Sequence, residues 1–413
     1  MESFRNRGFA IGLESSENVD PGVTSAADAF RLLNGSSSIE GDVTERELDR
    51  STFGHNEFTW GNERVIVEGD FEIIPPADPG ASTSAGNFGV ERLLRIGGFA
   101  AVAKSSTNDT SIHKLVSSAI PSAYMLFWHS GTLKEASGAR ADFSSLGVEI
   151  GSRFKGRAKI QGTSVDLSEA ALPTDFDYSA QTVPVVARKD NTIIRHITAA
   201  GAPVHLYGKS LLVDFNNEVQ TKEYSQFGST AIGDRKPLAT LRIAKPSYTV
   251  LDARALRAAG TIVGFDVTVI EADGRYLRMK VRGQIEGFQD VDIDKDFGHE
   301  IALRCIPSDA GGDEVELEAG IATLRLLGTY ANGTVGDAYS SNVSVLGAPW
   351  TAPVFSVFSG AIPAGLTLNT ATGVISGTPS TANSYTFVIR ASYTDAAGAT
   401  VNVNSSSQTV TIA

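Results

Sequence analysis

At 413 residues the chain exceeds one ordinary core and predicts two or three domains. Its 47 acidic against 35 basic side chains, a formal charge of -12, exclude a protein that grips nucleic acid tightly, because gripping it means neutralising phosphates with Lys and Arg; letting nucleic acid pass stays open. No apolar run approaches the length of a membrane span, and the single cysteine, Cys305, rules out an intrachain disulfide and fits folding in a reducing cytoplasm.

The N-terminal stretch MESFRNRGFAIGLESSEN has arginines but no sustained apolar region, so no secretory signal is expected. Residues 1–25 read as an arm. The stretch RVIVEGDFEII (64–74) alternates as a strand, with Val65, Val67, Phe71 and Ile73 on one face and Glu68, Asp70 and Glu72 on the other. Three carboxylates in one row repel each other, which poses the question of what that row faces. A long Pro- and Gly-rich loop (75–89) follows, then VERLLRIGGF (90–99), a short helix stopped by glycine, then paired strands in SAYMLFWHSGTLKEASGARADF.

The same order returns later: PLATLRIAKP as a strand ending in proline, LDARALRAAG (251–260) as a helix stopped by glycine, and TIVGFDVTVIEADGRYLRMKVRGQIEGF as strands joined by an EADG turn. Strand, helix and hairpin thus occur twice at about 160 residues apiece, as a duplicated unit would. The expected units are 25–205 and 206–310. FQDVDIDKDFGHE (288–300) resembles a calcium loop, but neither register puts Gly at position six and Glu at position twelve; it reads as a strand with Asp290, Asp292 and Asp294 on an acidic face. SDAGGDEVELEAG (308–320) reads as a solvated connection ahead of a change in composition, after which charge nearly vanishes and Ser, Thr, Gly, Asn and Val dominate. The expected domains are therefore 1–320 and 321–413.

Chemistry-bearing constellations are scarce. The six histidines are scattered without ligand spacing, no nucleophile elbow or phosphate-cradling glycine loop occurs, and Cys305 sits in the alternating stretch EIALRCIP, as a buried residue would. Glu68 and Asp70 stand about 6.5 to 7 Å apart along a strand, within the span of glycosidase carboxylates, but no aromatic-lined cleft is evident around them. The expectation is a protein that is not an enzyme, with no metal and no cofactor.

The segment GAIPAGLTLNTATGVISGTPSTANSYTFVIRASYTDAAGATVNV carries alternation at Leu366, Leu368, Tyr385, Phe387 and Ile389, with Gly373 where a hairpin needs a positive φ. It resembles the bacterial and phage immunoglobulin-like family, which implies a two-sheet sandwich of roughly 90 to 100 residues; Ile362 replaces the usual Leu and Asn383 a usual Gly. The first 320 residues resemble the major tail tube proteins of long, non-contractile-tailed bacteriophages, through FEIIPPADPGASTSAGNFGVERLLRIGGFA, through GARADFSSLGVEIGSRFKGRAKIQGT with its GAR turn, and through HLYGKSLLVDFNNEVQTKEY.

That resemblance implies a mainly β fold of tail-tube-type sandwich or barrel units with short flanking helices, closed into rings and stacked into a hollow tube. Three chains would make a pseudo-sixfold ring if the unit is duplicated, six if it is not. The arm 1–25 and the loop 75–89 are candidates for reaching the next ring. The implied partners are copies of the chain itself, tape measure and tail terminator proteins, double-stranded DNA passing without tight binding, and host-surface glycans at the immunoglobulin-like domain. The implied place is the virion tail, after synthesis in the host cytoplasm. On this reading Glu68, Asp70 and Glu72 face the lumen, with Asp290, Asp292 and Asp294 as the second unit's counterparts. The alternative is a glycan-binding surface adhesin with an immunoglobulin-like module.

Overall fold

Period-two alternation of apolar and polar side chains organises most of the chain into antiparallel strands, each offering one face for burial. The computed structural model describes residues 7–45, 58–74, 90–105, 110–178, 184–198, 203–224, 227–271, 275–321, 325–327, 330–342, 344–346, 352–394 and 400–413. The fold is mainly β with a C-terminal immunoglobulin-like domain. The loop 75–89 and most of the EADG turn lie outside the described residues.

The N-terminal half contains β1 (Arg7–Leu13), β2 (Leu33–Glu45), β3 (Phe58–Glu72), helix α1 (Glu91–Ile96), β4 (Phe99–Ser105), β5 (Thr110–Leu115), β6 (Ala123–His129), β7 (Thr132–Glu149) and β8 (Lys155–Glu169). Then come β9 (Thr192–Ile197), β10 (Pro203–Leu206), β11 (Gly208–Asp214), β12 (Asn217–Tyr224), β13 (Phe227–Arg235), β14 (Leu238–Ala244), helix α2 (Ala253–Ala258), β15 (Ile262–Ile270), β16 (Arg275–Ile293), β17 (Asp296–Cys305) and β18 (Val315–Ile321).

One strand order occurs twice. The first repeat runs β1-β6-β7-β8-β3-β2 and the second β9-β15-β16-β17-β14-β11, with every pairing antiparallel. The chain leading into β2 returns to β1 through Phe30 N to Phe9 O (2.9 Å) and Ile11 N to Asp28 O (3.0 Å); β10, leading into β11, returns to β9 in the same way. Each set of strands thereby curls back toward its own first strand. The helices also correspond, α1 packing on β7 and α2 on β16. Asp252 caps α2 by accepting from Ala255 N at 2.9 Å, and Gly98 (φ +91) and Gly260 (φ +61) make the left-handed exits that stop the two helices.

Two expected boundaries move. Residues 7–13, expected within an arm, form β1, with Phe9 and Ile11 buried against the core: alternating apolar residues at Phe9, Ile11 and Leu13 favour pairing with β6 over solvent. The second repeat opens at β9, ahead of the expected division between 205 and 206, because Asp266 and Arg195 tie β9 into it. The expected GAR turn is instead a bulge inside β7, where Gly138 takes φ +62 and the register shifts between Ser137 and Arg140.

The repeats meet along two seams. At one, residues 146–149 of β7 pair with 210–213 of β11, Leu146 opposite Val213 and Val148 opposite Leu211, so a single sheet runs through both repeats. At the other, the β4–β5 hairpin of the first repeat adds to β18, which also pairs with β16. One apolar cluster spans both repeats, including Val67, Phe71, Phe143, Phe215, Phe265 and Leu303; each such side chain contributes about 1.5 to 3 kcal/mol on burial.

Past residue 321 the ladders change partners. Strands β19 (Arg325–Leu327) and β21 (Ser344–Leu346) pair with each other; β20 (Tyr339–Ser341), β24 (Ile375–Gly377) and β23 (Leu366–Leu368) form a second small sheet; β22 (Val354–Gly360), β25 (Asn383–Thr394), β26 (Thr400–Asn404) and β27 (Gln408–Ile412) form the largest. Phe355, Ile375, Phe387, Ile389 and Val410 fill a core of their own. The glycines of the GL and SGTP signatures explain themselves: Gly365 (φ +87) and Gly377 (φ +140) meet backbone to backbone, and a Cβ on Gly365 would lie 2.2 Å from Thr378 O.

Candidate functional surface

The continuous sheet has a core face and an opposite, charged face that the β12–β13 hairpin covers in part, Gln161 of β8 donating to Thr221 of β12 at 2.7 Å. Chemistry available to a partner lies on the uncovered part of that second face. On β3, Val65, Val67 and Phe71 point inward and are fully buried. Glu68, Asp70 and Glu72 point the other way, Glu68 and Asp70 partly exposed but Glu72, expected to face a lumen, buried beneath Arg153. The register explains how three carboxylates in a row are tolerated. They stand directly opposite Lys159, Arg157 and Lys155 of β8, whose Gly156, Ala158 and Ile160 turn to the core. Arg157 donates to Glu68 at 3.0 Å and reaches Asp70 at 3.5 Å, and Arg153 pairs with Glu72. On its other side Lys159 faces Asp142 of β7, whose carboxyl burial pushes above its usual range. The acidic row is therefore half of a ladder of alternating charge. KGRAKIQ shows the basic alternation plainly; what the sequence alone does not show is that it lies beside VEGDFE.

In the second repeat the same face carries the charges in reverse. Ser36–Glu68 and Ser210–Arg242 each follow the register break that opens the β2–β3 and β11–β14 ladders, so Arg242 stands where Glu68 stands in the first repeat. Its cross-strand partner is Glu300 (2.6 Å), where the first repeat has Lys159. Gln289 completes the row, donating to Glu300 at 2.8 Å, and Arg304 and Glu286 form a further pair at 2.6 Å.

Asp290, Asp292 and Asp294, expected as counterparts of the first trio, are not on this face. Asp290 and Asp292 sit opposite His299 and Phe297, on the side of the sheet that in the body of the repeat carries the core, and Asp290 Oδ1 lies 3.0 Å from His299 Nδ1. Asp294 leaves the strand altogether. Asp294 and Lys295, at φ +53 and +75, are the central residues of a two-residue turn of the mirror type that suits strand twist. Asp292 Oδ1 accepts from Lys295 N at 2.7 Å and Asp294 pairs with Lys209 at 2.8 Å. These aspartates shape and solubilise a hairpin tip.

A concavity of ≈ 840 Å³ lies where the repeats adjoin, lined by Val116, Ile232, Arg235, Leu238, Cys305 and Glu314 among others. Arg235 and Glu314 pair there at 3.4 Å. Burial, with the Glu314 charge adding, pushes the Cys305 thiol up to about 12, which leaves it protonated and unreactive at neutral pH. Among the described residues no histidine lines the concavity, and the Glu314 carboxylate beside the thiol disfavours a thiolate rather than supporting one. Among the described residues, no three His, Cys, Asp or Glu side chains converge as metal ligands do.

Residues 327–413 match the family model described as "Putative Ig domain", over the stretch that has its own core. No curated protein matches the chain.

Proposed function

We propose that this chain is a structural subunit that closes with copies of itself into rings stacked as a hollow tube, the tail tube of a long, non-contractile-tailed phage, through which double-stranded DNA passes. The observation that carries this reading is the single sheet shared by two like-ordered repeats: a unit that already joins sideways to its own copy can continue that join around a ring. Two repeats per chain favour three chains in a pseudo-sixfold ring.

The charged face would line the bore. DNA adheres when free Lys and Arg release its counterions. Here Arg157, Arg242 and Arg304 each have a carboxylate partner in the sheet, and the exposed Lys159 and Lys155 stand opposite Glu68 and Glu72, so carboxylates offset the wall's cations while it stays wet. Screening confines its influence to about 8 to 10 Å. The role is structural rather than enzymatic, and tape measure and terminator proteins would meet the tube's inside and end.

The immunoglobulin-like module, separately cored, would project outward. Its β22 exposes Phe358 at 49%, with the Arg390 guanidinium 3.7 Å from the ring centroid. A ring covered on one face by a guanidinium still offers its other face and edge, which suits weak contact with host-surface glycans, made useful by many copies. Negative-stain microscopy of the purified full chain tests the assembly: stacked hollow rings are expected, and dispersed single particles at every concentration would overturn it.

A further inference from the structure

We propose that the exposed edge of β2 is the docking edge for a second copy of this chain, whose β16–β17 hairpin adds to it and repeats between chains the β7–β11 seam found within one. This inference rests on the ring reading and names the contact that would close it.

The two repeats leave different strand edges without a described partner strand. In the second repeat, β11 has β14 on one side and the end of β7 on the other. In the first, β2 occupies the corresponding place, yet among the described residues its partner strand is β3 alone. The complementary gap lies along β16 in the second repeat. Beyond the stretch that pairs with β6, β7 continues with β8 on one side and takes β11 on the other. β16 likewise runs past its pairing with β15, which stops at Gln284, and continues to Ile293 with β17 on one side and no described strand on the other. One repeat therefore offers the edge that the other lacks. The two edges differ, so the join is head to tail, the kind of contact that makes rings when its rotation closes.

The local sequences agree with this. SLLVD (210–214) at the internal seam corresponds to SSSIE (36–40), following the same register break. At the internal seam the backbone groups in use include Lys209 O, which accepts from Ile150 N at 2.8 Å. The corresponding Gly35 O accepts from the Arg7 side chain, and Ser37 O and Oγ accept from Lys134 Nζ at 3.4 and 2.9 Å. Long cationic side chains thus hold the edge in the single chain, a common way of blunting a strand against unwanted partners. They are also donors that a backbone N–H can replace without leaving the carbonyls unsatisfied.

The test is a disulfide across the proposed join in the full chain. Ser38 is exposed on β2 and Ile293 lies at the hairpin tip. Cys305 is buried and forms a silent background. In Ser38→Cys/Ile293→Cys, with Ser38→Cys/Val291→Cys covering the neighbouring register, oxidation is expected to give chains linked into dimers and trimers on a non-reducing denaturing gel. Each single substitution should stay monomeric on that gel. Rings in the microscope with no linkage in either double variant would overturn the proposed pairing and leave the ring reading intact; no rings and no linkage would overturn both.

Discussion

Replacing Asp266 by Asn is expected to destabilise the body of the protein by about 3 to 5 kcal/mol, the usual cost of stranding one member of a buried ion pair. Asp266 and Arg195 are 2% and 7% exposed and stand opposite each other on β15 and β9. The Arg195 Nε donates to Oδ1 at 2.8 Å and a second guanidinium nitrogen donates to Oδ2, a two-pronged geometry that fixes the register of the strand opening the second repeat. Asparagine keeps the shape but removes the charge that compensates the guanidinium. In calorimetry of the full chain, the transition of residues 7–321 should move down while that of the immunoglobulin-like domain, with its separate core, stays in place. The double replacement Arg195→Met/Asp266→Leu should recover much of the loss, since a packed apolar pair carries no desolvation cost. A shift below about 1 kcal/mol for Asp266→Asn would place the pair with exposed ones.

Acid should loosen the second seam through His113. This residue is fully buried on β5, opposite Leu317 of β18, and burial, with the Arg95 charge adding, holds its imidazole down to about 4 from an ordinary 6.5. The folded state keeps His113 neutral while the unfolded chain takes up a proton as the pH falls through 6.5, so protons favour unfolding across that window. The contribution present above pH 6.5 is lost progressively on the way down to about 4 and amounts to about 3 kcal/mol. Chemical denaturation at pH 7 and pH 4.5 should show this loss, and His113→Leu should flatten it. An unchanged acid slope in that variant would assign the sensitivity elsewhere. Glu318 is separable: burial raises its carboxyl, but Arg278, Lys280 and Tyr276 outweigh that and hold it below its ordinary 4.5. Its contribution, present above 4.5, is lost only at lower pH.

Local pattern made much of the fold legible. The alternation of VIVEGDF placed β3, glycine stops bounded both helices, the recurrence of strand, helix and hairpin announced two repeats, and the GLTLN and SGTP signatures marked the C-terminal sandwich. What escaped was register between distant segments. Lys155, Arg157 and Lys159 lie far from Glu68 in sequence, and no local rule says that β8 rather than another strand lies beside β3; without that neighbour the acidic row reads as a bare wall. The second trio was misplaced for a related reason. Asp290, Asp292 and Asp294 have the spacing of the first, but spacing fixes only that side chains share a face, and the bulge between Ile285 and Gly287 together with the Asp294–Lys295 turn decides which face it is. β1 was visible as alternation at Phe9, Ile11 and Leu13, a signal outweighed by its closeness to a polar terminus.

The central claim is that the charged face of the shared sheet lines a channel built from several copies of this chain. A density map of the assembled particle, at a resolution that places side chains, tests it most directly. The account predicts Glu68 and Lys159 of one repeat alternating with Arg242 and Glu300 of the other around the bore; a map with that face on the outside, or of a solitary particle with no channel, would contradict it.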